Sequence, residues 1–423
     1  MRSATLRANS PSNRGSSVLS RLLVFTLIFI LILNPYTIFG RPGIAVALAI
    51  ALYSIAKIGY THTLKDFSRP LFAMLFIGTW GALVSQFNGI GQFNHPLGVT
   101  SLAVILLTAC GIWKICKDCN IDSYSLISML MYSIALNSLI VILEVNEPAL
   151  RASIESYLIP AGNINWEEGF RYRGLSASGG AGLSICTPVA FACLLYLYEN
   201  NRISLTMAIA VSLTLLMAVL NIGRTGLFLT SIVLLFYISF YSKKIFSDPS
   251  RAIKSTILIL GIAALITYNY ELIINYLTDK FGAGFTRYAF EFALEGSKGL
   301  ESEGTVETII SFLSVLPTGF PEALTGYGFY GGSEFYPWTD SGYARMFLSV
   351  GFILGTLFYF LIYLIYIKTI KSHKFLLYCI ALILIIAETK EPLLYSGNAS
   401  RMFIMILIFS HMDHKISKQS GRV

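Results

Sequence analysis

From Leu22 to Ser410 the chain alternates long apolar runs with short polar breaks, at a spacing of roughly 20 to 40 residues. Twelve windows have the length and apolarity of a membrane-crossing helix: 22–39, 43–58, 70–87, 99–115, 125–143, 182–198, 204–220, 225–241, 255–270, 343–367, 375–387 and 402–410. The strict alternation that a barrel strand needs is absent. The pattern therefore predicts an all-α fold, a polytopic bundle of about 12 transmembrane helices forming one integral membrane domain over residues 1–423. Most connections are short. Two are long, 144–181 and 271–342, and both fall on the same side of the predicted bundle. Within them 154–159 and 285–294 have the apolar spacing of short helices lying on a membrane surface, and 326–335 is rich in glycine and aromatic residues.

Composition sharpens this picture. Of 423 residues, 55% are hydrophobic and 13% charged, about half the charged share of a soluble domain. With a mean hydropathy of +0.67, an ordinary cytosolic protein is excluded. The net charge of +8 is explained by topology rather than by nucleic acid: with the amino terminus inside, 20 of the 31 Lys and Arg fall on the inner side. Both termini are then cytoplasmic and both long loops lie outside. The basic amino terminus and first apolar run read as an uncleaved span, because Asn34-Pro35-Tyr36 and a second span follow without a small-residue cleavage site. All six cysteines fall in spans or the inner loop, so disulfides are not expected. Cys116-x-x-Cys119 is half of a zinc pattern with no second half, and neither metal nor cofactor is expected.

Charges at membrane depth are expensive and need a reason. Residues 204–241 number 38, which two spans consume, so the turn Asn221-Ile222-Gly223-Arg224-Thr225-Gly226 sits in or near the outer half of the bilayer. The last hairpin, 375–411, brings Glu388, Lys390, Glu391 and Arg401 to the same depth, which suggests an outward-open polar cavity beneath the long loops. Structural readings stand beside the functional ones. Arg224 can snorkel or cap a helix, Lys390 can pair with Glu388 or Glu391, and Arg171 and Arg173 can balance Glu167 and Glu168. The aromatics Tyr327, Phe329, Tyr330, Phe335, Tyr336, Trp338 and Tyr343 can form an interfacial belt or a sugar platform.

Outward cations without a phosphate loop, metal motif or Ser-His-Asp set suit an anionic ligand presented by the membrane, such as a lipid pyrophosphate. Arginine stays charged at any relevant pH and binds phosphate oxygens through its planar fork, so it can stabilise a pyrophosphate leaving group. Attack on a sugar carbon also needs a base, for which Asp340 in Trp338-Thr339-Asp340-Ser341 is the candidate; the alternative is an N-cap for the next helix. Among the histidines only His95, in Asn94-His95-Pro96, faces outward.

Three stretches carry a family resemblance: Arg171-Tyr172-Arg173-Gly174 through Gly179-Gly180; Asn221-Ile222-Gly223-Arg224-Thr225-Gly226-Leu227; and Gly326-Tyr327-Gly328 followed by Thr339-Asp340-Ser341-Gly342-Tyr343 and Gly351-Phe352-Ile353-Leu354-Gly355. In this order, across nearly the whole length, the chain resembles the Wzy-type O-antigen polymerases of the O-antigen polymerase and ligase superfamily. The resemblance implies a C-type glycosyltransferase-like fold in the bacterial inner membrane with its active site facing the periplasm. It implies that undecaprenyl-pyrophosphate-linked oligosaccharides, as donor and acceptor, are joined without metal and undecaprenyl pyrophosphate is released. Membrane lipids and a polysaccharide chain-length regulator are the implied partners. Arg173 and Arg224 would hold pyrophosphate, with Arg224 and Asp340 the catalytic pair; Arg171, Arg287, Arg345, Lys390, Arg401, Tyr336 and Trp338 complete the expected substrate site. The ligases tend to have a histidine where this chain has Asp340, which favours a polymerase and leaves the base open; Gly223 stands where the shared turn often has serine. An O-antigen ligase is the nearest alternative. A lipid-linked oligosaccharide flippase is a second, from a different class, although no internal repeat supports it.

Overall fold

The computed structural model describes residues 17–58, 60–159, 172–177, 179–247, 275, 278–279, 310–311, 313–330, 339–369, 373–393 and 397–419. The regular elements named among the described residues are all α-helices. They are α1 (Val18–Leu33), α2 (Pro42–Ile58), α3 (Tyr60–Phe87), α4 (Asn94–Asp118), α5 (Ser123–Asn146), α6 (Pro148–Tyr157) and α7 (Ala181–Ser184). There follow α8 (Cys186–Glu199), α9 (Leu205–Ile222), α10 (Arg224–Ser247), α11 (Phe320–Thr325), α12 (Gly342–Thr369), α13 (Lys374–Ala387) and α14 (Gly397–Gln419).

Eleven of the twelve apolar windows fall on these helices, and the twelfth, 255–270, lies outside the described residues. Among the described residues, seven helices are long and apolar enough to cross a membrane. The ends follow local chemistry. Asp122 accepts from the backbone N–H of Ser125 at 2.9 Å to open α5, and Ser204 accepts from Met207 at 3.2 Å to open α9. Helix α1 stops at Asn34, in the left-handed region with φ 43°, earlier than the apolar run to residue 39 suggests, because Pro35 cannot continue it. The expected surface helix at 154–159 is the end of α6, which has no buried residue; its counterpart at 285–294 lies outside the described residues.

The surface explains the composition. Phe72, Phe76 and Leu83 on α3, Leu48, Leu52 and Ile55 on α2, and Ile353, Leu357 and Phe360 on α12 are all exposed at helical spacing. Such stripes would be an aggregation liability in water, whereas lipid chains solvate them. Inside, the span Gly182–Glu199 is the most enclosed of the candidate spans among the described residues, 83% buried, and its α8 packs against α5, α9, α10, α13 and α14.

Polar groups collect at two opposite ends of the bundle. At one, Asp413 of α14 meets Ser123, Lys117 and His373, whose ring also bonds the Tyr196 hydroxyl. At the other, the carboxyl ends of α1, α3, α5, α9 and α13 meet the amino ends of α2, α4, α8, α10, α12 and α14. This second end carries the sequence motifs.

One predicted continuous span is broken near it: α12 breaks at Gly351, whose φ of 78° few other residues tolerate, whereas the 182–198 window runs on from α7 into α8 through Ile185, whose backbone is helical. The break frees carbonyls that the helix would otherwise satisfy. Residues 326–330 form a strap that supplies the missing donors: Tyr327 N–H donates to Leu348 O at 2.6 Å and Gly328 N–H to Ser349 O at 3.0 Å. A side chain at Gly328, φ 81°, would overlap the backbone of Ser85 on α3. Gly328→Ala is therefore expected to destabilise the fold by about 2 kcal/mol, read as a lower midpoint of thermal unfolding in detergent; an unchanged midpoint would mean that the strap does not dock.

Candidate functional site

Two junctions at the motif-bearing end bring together residues that are far apart in sequence. The first is the loop from Tyr172 to Gly180. Its backbone is held on four sides: Tyr172 N–H donates to Asn221 O at 3.1 Å, Leu175 N–H to Asn137 Oδ1 at 2.9 Å, Gly174 N–H to Glu144 Oε2 at 3.1 Å and Ala177 N–H to Leu33 O at 3.0 Å. Asn398 of α14 donates to Ser176 Oγ at 2.6 Å. The loop thus sits against the Asn221–Arg224 turn, as the pairing of the two motifs requires. Gly226 explains its place in that turn, since a Cβ there would overlap the Ser184 carbonyl of α7.

Arg173 points into protein rather than into an open cavity. Its side chain is fully buried; Nε donates to Glu155 Oε1 at 3.1 Å, Nη2 pairs with Glu155 Oε2, and Nη1 donates to Ile159 O at 3.3 Å. The partner among the described residues is Glu155 of α6; Glu167 and Glu168 lie outside them. Around this loop are two arginines that the motifs did not single out. Arg151 lies over the Tyr172 ring at 4.5 Å, and Arg41 over Tyr36 at 4.4 Å. Arg401 donates from Nη1 to Leu31 O at 2.7 Å, at the carboxyl end of α1. Arg224 is the first residue of α10; its side chain, with Arg171, Arg287, Tyr336 and Trp338, lies outside the described residues.

The second junction joins the start of α12 to the turn after α13. Arg345 donates from Nη2 to Asp340 Oδ1 at 3.1 Å and from Nε to Thr339 O at 2.7 Å. Asp340 is not the helix cap. That role falls to Ser341, whose hydroxyl accepts from Ala344 N–H at 3.3 Å, so the carboxylate is left to its ion pair. Burial raises the Asp340 carboxyl above the usual range, while Arg345 and Lys390 pull it back. Asp340, Arg345 and Lys390 are thereby brought together.

Glu388 builds this junction, a role its place among the hairpin charges did not reveal. It is 1% exposed and accepts from Tyr359 hydroxyl at 2.9 Å and from Leu393 N–H at 2.9 Å, while its own carbonyl accepts from Gly342 N–H at 2.9 Å. The absence of a side chain at Gly342 makes room for the carboxylate. His95, the outward histidine of the sequence, is buried in the first turn of α4 with its ring 4.4 Å from that of Tyr330. Tyr330 is in turn close enough to Glu388 and Arg345 to feel their charge.

One hairpin links the two junctions: Glu388 and Lys390 belong to the second, and Asn398 and Arg401, a few residues on, to the first. Among the described residues no three His, Cys, Asp or Glu side chains gather as a metal site. Chemically, the end offers a carboxylate of raised basicity beside two cations, and a backbone-rich loop flanked by arginines and by the amino termini of α10 and α14. Both features suit a group that gains negative charge. Neither a protein-family model nor a curated protein sequence matches the chain.

Proposed function

We propose that this chain is an oligosaccharide-repeat polymerase of the Wzy type, acting at the outer face of the bacterial inner membrane on undecaprenyl-pyrophosphate-linked repeat units. The observation that carries the reading is that the same end of the bundle holds both the Asp340–Arg345 pair with Lys390 and the loop whose Tyr172 N–H is hydrogen-bonded to Asn221 O in the turn that opens α10. Asp340 would take the proton from the acceptor hydroxyl as its oxygen attacks the anomeric carbon of the donor. The bond from that carbon to the pyrophosphate oxygen breaks, and undecaprenyl pyrophosphate leaves with its charge met by Arg224, Arg401 and the helix amino termini. Arginine and oriented N–H groups suffice for that charge, so nothing in the step requires a metal ion. Arg173 is held by Glu155, so it would have to leave that pair to reach a pyrophosphate.

Purified protein in liposomes, given the undecaprenyl-pyrophosphate repeat unit of its host without metal or nucleotide sugar, is expected to yield a ladder of oligomers. Arg224→Ala should leave the unpolymerised unit at normal protein level, with a loss of about 10²-fold or more. Transfer of preformed polymer to a different acceptor, with no ladder, would make the chain a ligase; movement of the unit across the bilayer without elongation would make it a flippase.

A further inference from the structure

Beside the second junction, between the end of α3 and the strap, lies a groove of about 540 Å3. Its walls include the rings of Trp80, Phe87 and Tyr327, with Asn88, Glu322 and Thr325 among them. A cavity of this size lies within the usual range of small-molecule sites, about 300–1,000 Å3. Val84, Ile90, Pro321 and Phe329 add to its apolar walls, but a lipid tail laid along it would strip water from the Glu322 carboxylate, the Asn88 amide and the Thr325 hydroxyl, at a cost that a ligand carrying hydroxyls avoids. The ligand with matching chemistry has flat apolar faces and a rim of hydroxyls. That is a sugar ring, whose C–H face stacks on an aromatic ring while its hydroxyls reach amide and carboxylate groups.

The groove is also preorganised. Tyr327 is pinned through both backbone groups, its N–H to Leu348 O at 2.6 Å and its carbonyl by Asn88 Nδ2 at 2.9 Å. The Phe329 ring stacks beside it at 6.0 Å, and the Trp80 indole donates to Thr325 O at 3.4 Å. Rings fixed before binding lose little entropy when a ligand arrives. Three residues beyond Tyr327 the same strap reaches Tyr330, within range of the Glu388 and Arg345 charges and with its ring 4.4 Å from that of His95.

We infer that this groove is a saccharide-binding subsite, which takes non-acidic sugar residues of an oligosaccharide whose reacting end lies at Asp340 and Arg345. Glu322 sets the preference for non-acidic sugars, because its carboxylate accepts from hydroxyls and repels anions. The inference rests on the reading above for the delivery of that oligosaccharide, and on the groove itself for its recognition.

The test places p-benzoylphenylalanine at the exposed Phe87 position of the full-length protein in its native membranes, irradiates it, and identifies the adduct by mass and sugar composition. Sugar residues on the adduct are expected, with at least a tenfold lower yield when Trp80→Leu or Tyr327→Ala is combined with the probe. An adduct of polyprenol without sugar, an adduct of another protein, or no adduct would overturn the subsite. Failure of the polymerase reading looks different: sugar adducts would still form while the liposome assay gives no ladder. A ladder with no sugar at Phe87 overturns the subsite alone.

Discussion

Asp340→Asn is expected to reduce elongation by about 10²–10⁴-fold, the usual contribution of a general base, with little change in substrate affinity. The amide keeps a hydrogen-bond acceptor for Arg345 but cannot take a proton. The pH dependence follows from the surroundings of the carboxyl. Burial raises it above the ordinary aspartate range, and Arg345 and Lys390 oppose the rise. A base works only when ionised, so elongation is present above this raised value and is lost as the pH falls through it. Arg345→Gln removes one of the charges that lower it, and the acid limb of the rate profile should move to higher pH. Stability runs the other way: the folded state holds the proton more tightly than the unfolded chain, so Asp340 adds stability as the pH falls through the same window. A pH profile unchanged by Arg345→Gln, or an active Asp340→Asn, would remove Asp340 from the reaction.

Arg173→Met is expected to cost about 2–3 kcal/mol of stability, less than the roughly 3–5 kcal/mol of a fully buried pair, because Glu155 retains access to water. Methionine keeps much of the aliphatic bulk, so the loss reports the guanidinium and its bonds to Glu155 and Ile159 O. Glu155→Gln, which keeps an acceptor for Nε, should cost clearly less. Unfolding in detergent reads both. Arg173→Met with the stability of the unaltered protein would mean that the pair does not form in the folded state. A variant stable in this way yet unable to elongate would return Arg173 to direct contact with pyrophosphate.

The Tyr172–Asn221 hydrogen bond joins the backbone just before Arg173 to the turn just before Arg224. That Arg173 is sealed against Glu155 was not readable, because the ion pair spans a loop whose path no local pattern encodes. Asn137 was visible as a polar residue inside an apolar window, which is a signal, and Glu144 as the first residue after it, but their partners, the N–H groups of Leu175 and Gly174, belong to another segment. The competing readings of Asp340 were separated only when Ser341 took the cap.

Apolar runs, their length and the bias of basic residues are properties of the covalent chain, and the partition of a helix between water and lipid depends on little else. Helices, their order and the ends at which polar residues gather were therefore legible before any coordinates. The break at Gly351, the strap that satisfies its carbonyls, the Glu388 anchor and the aromatic groove depend on which backbone groups meet across hundreds of residues. Such meetings are decided by packing and by the need to satisfy every buried donor and acceptor, which only the assembled bundle can resolve.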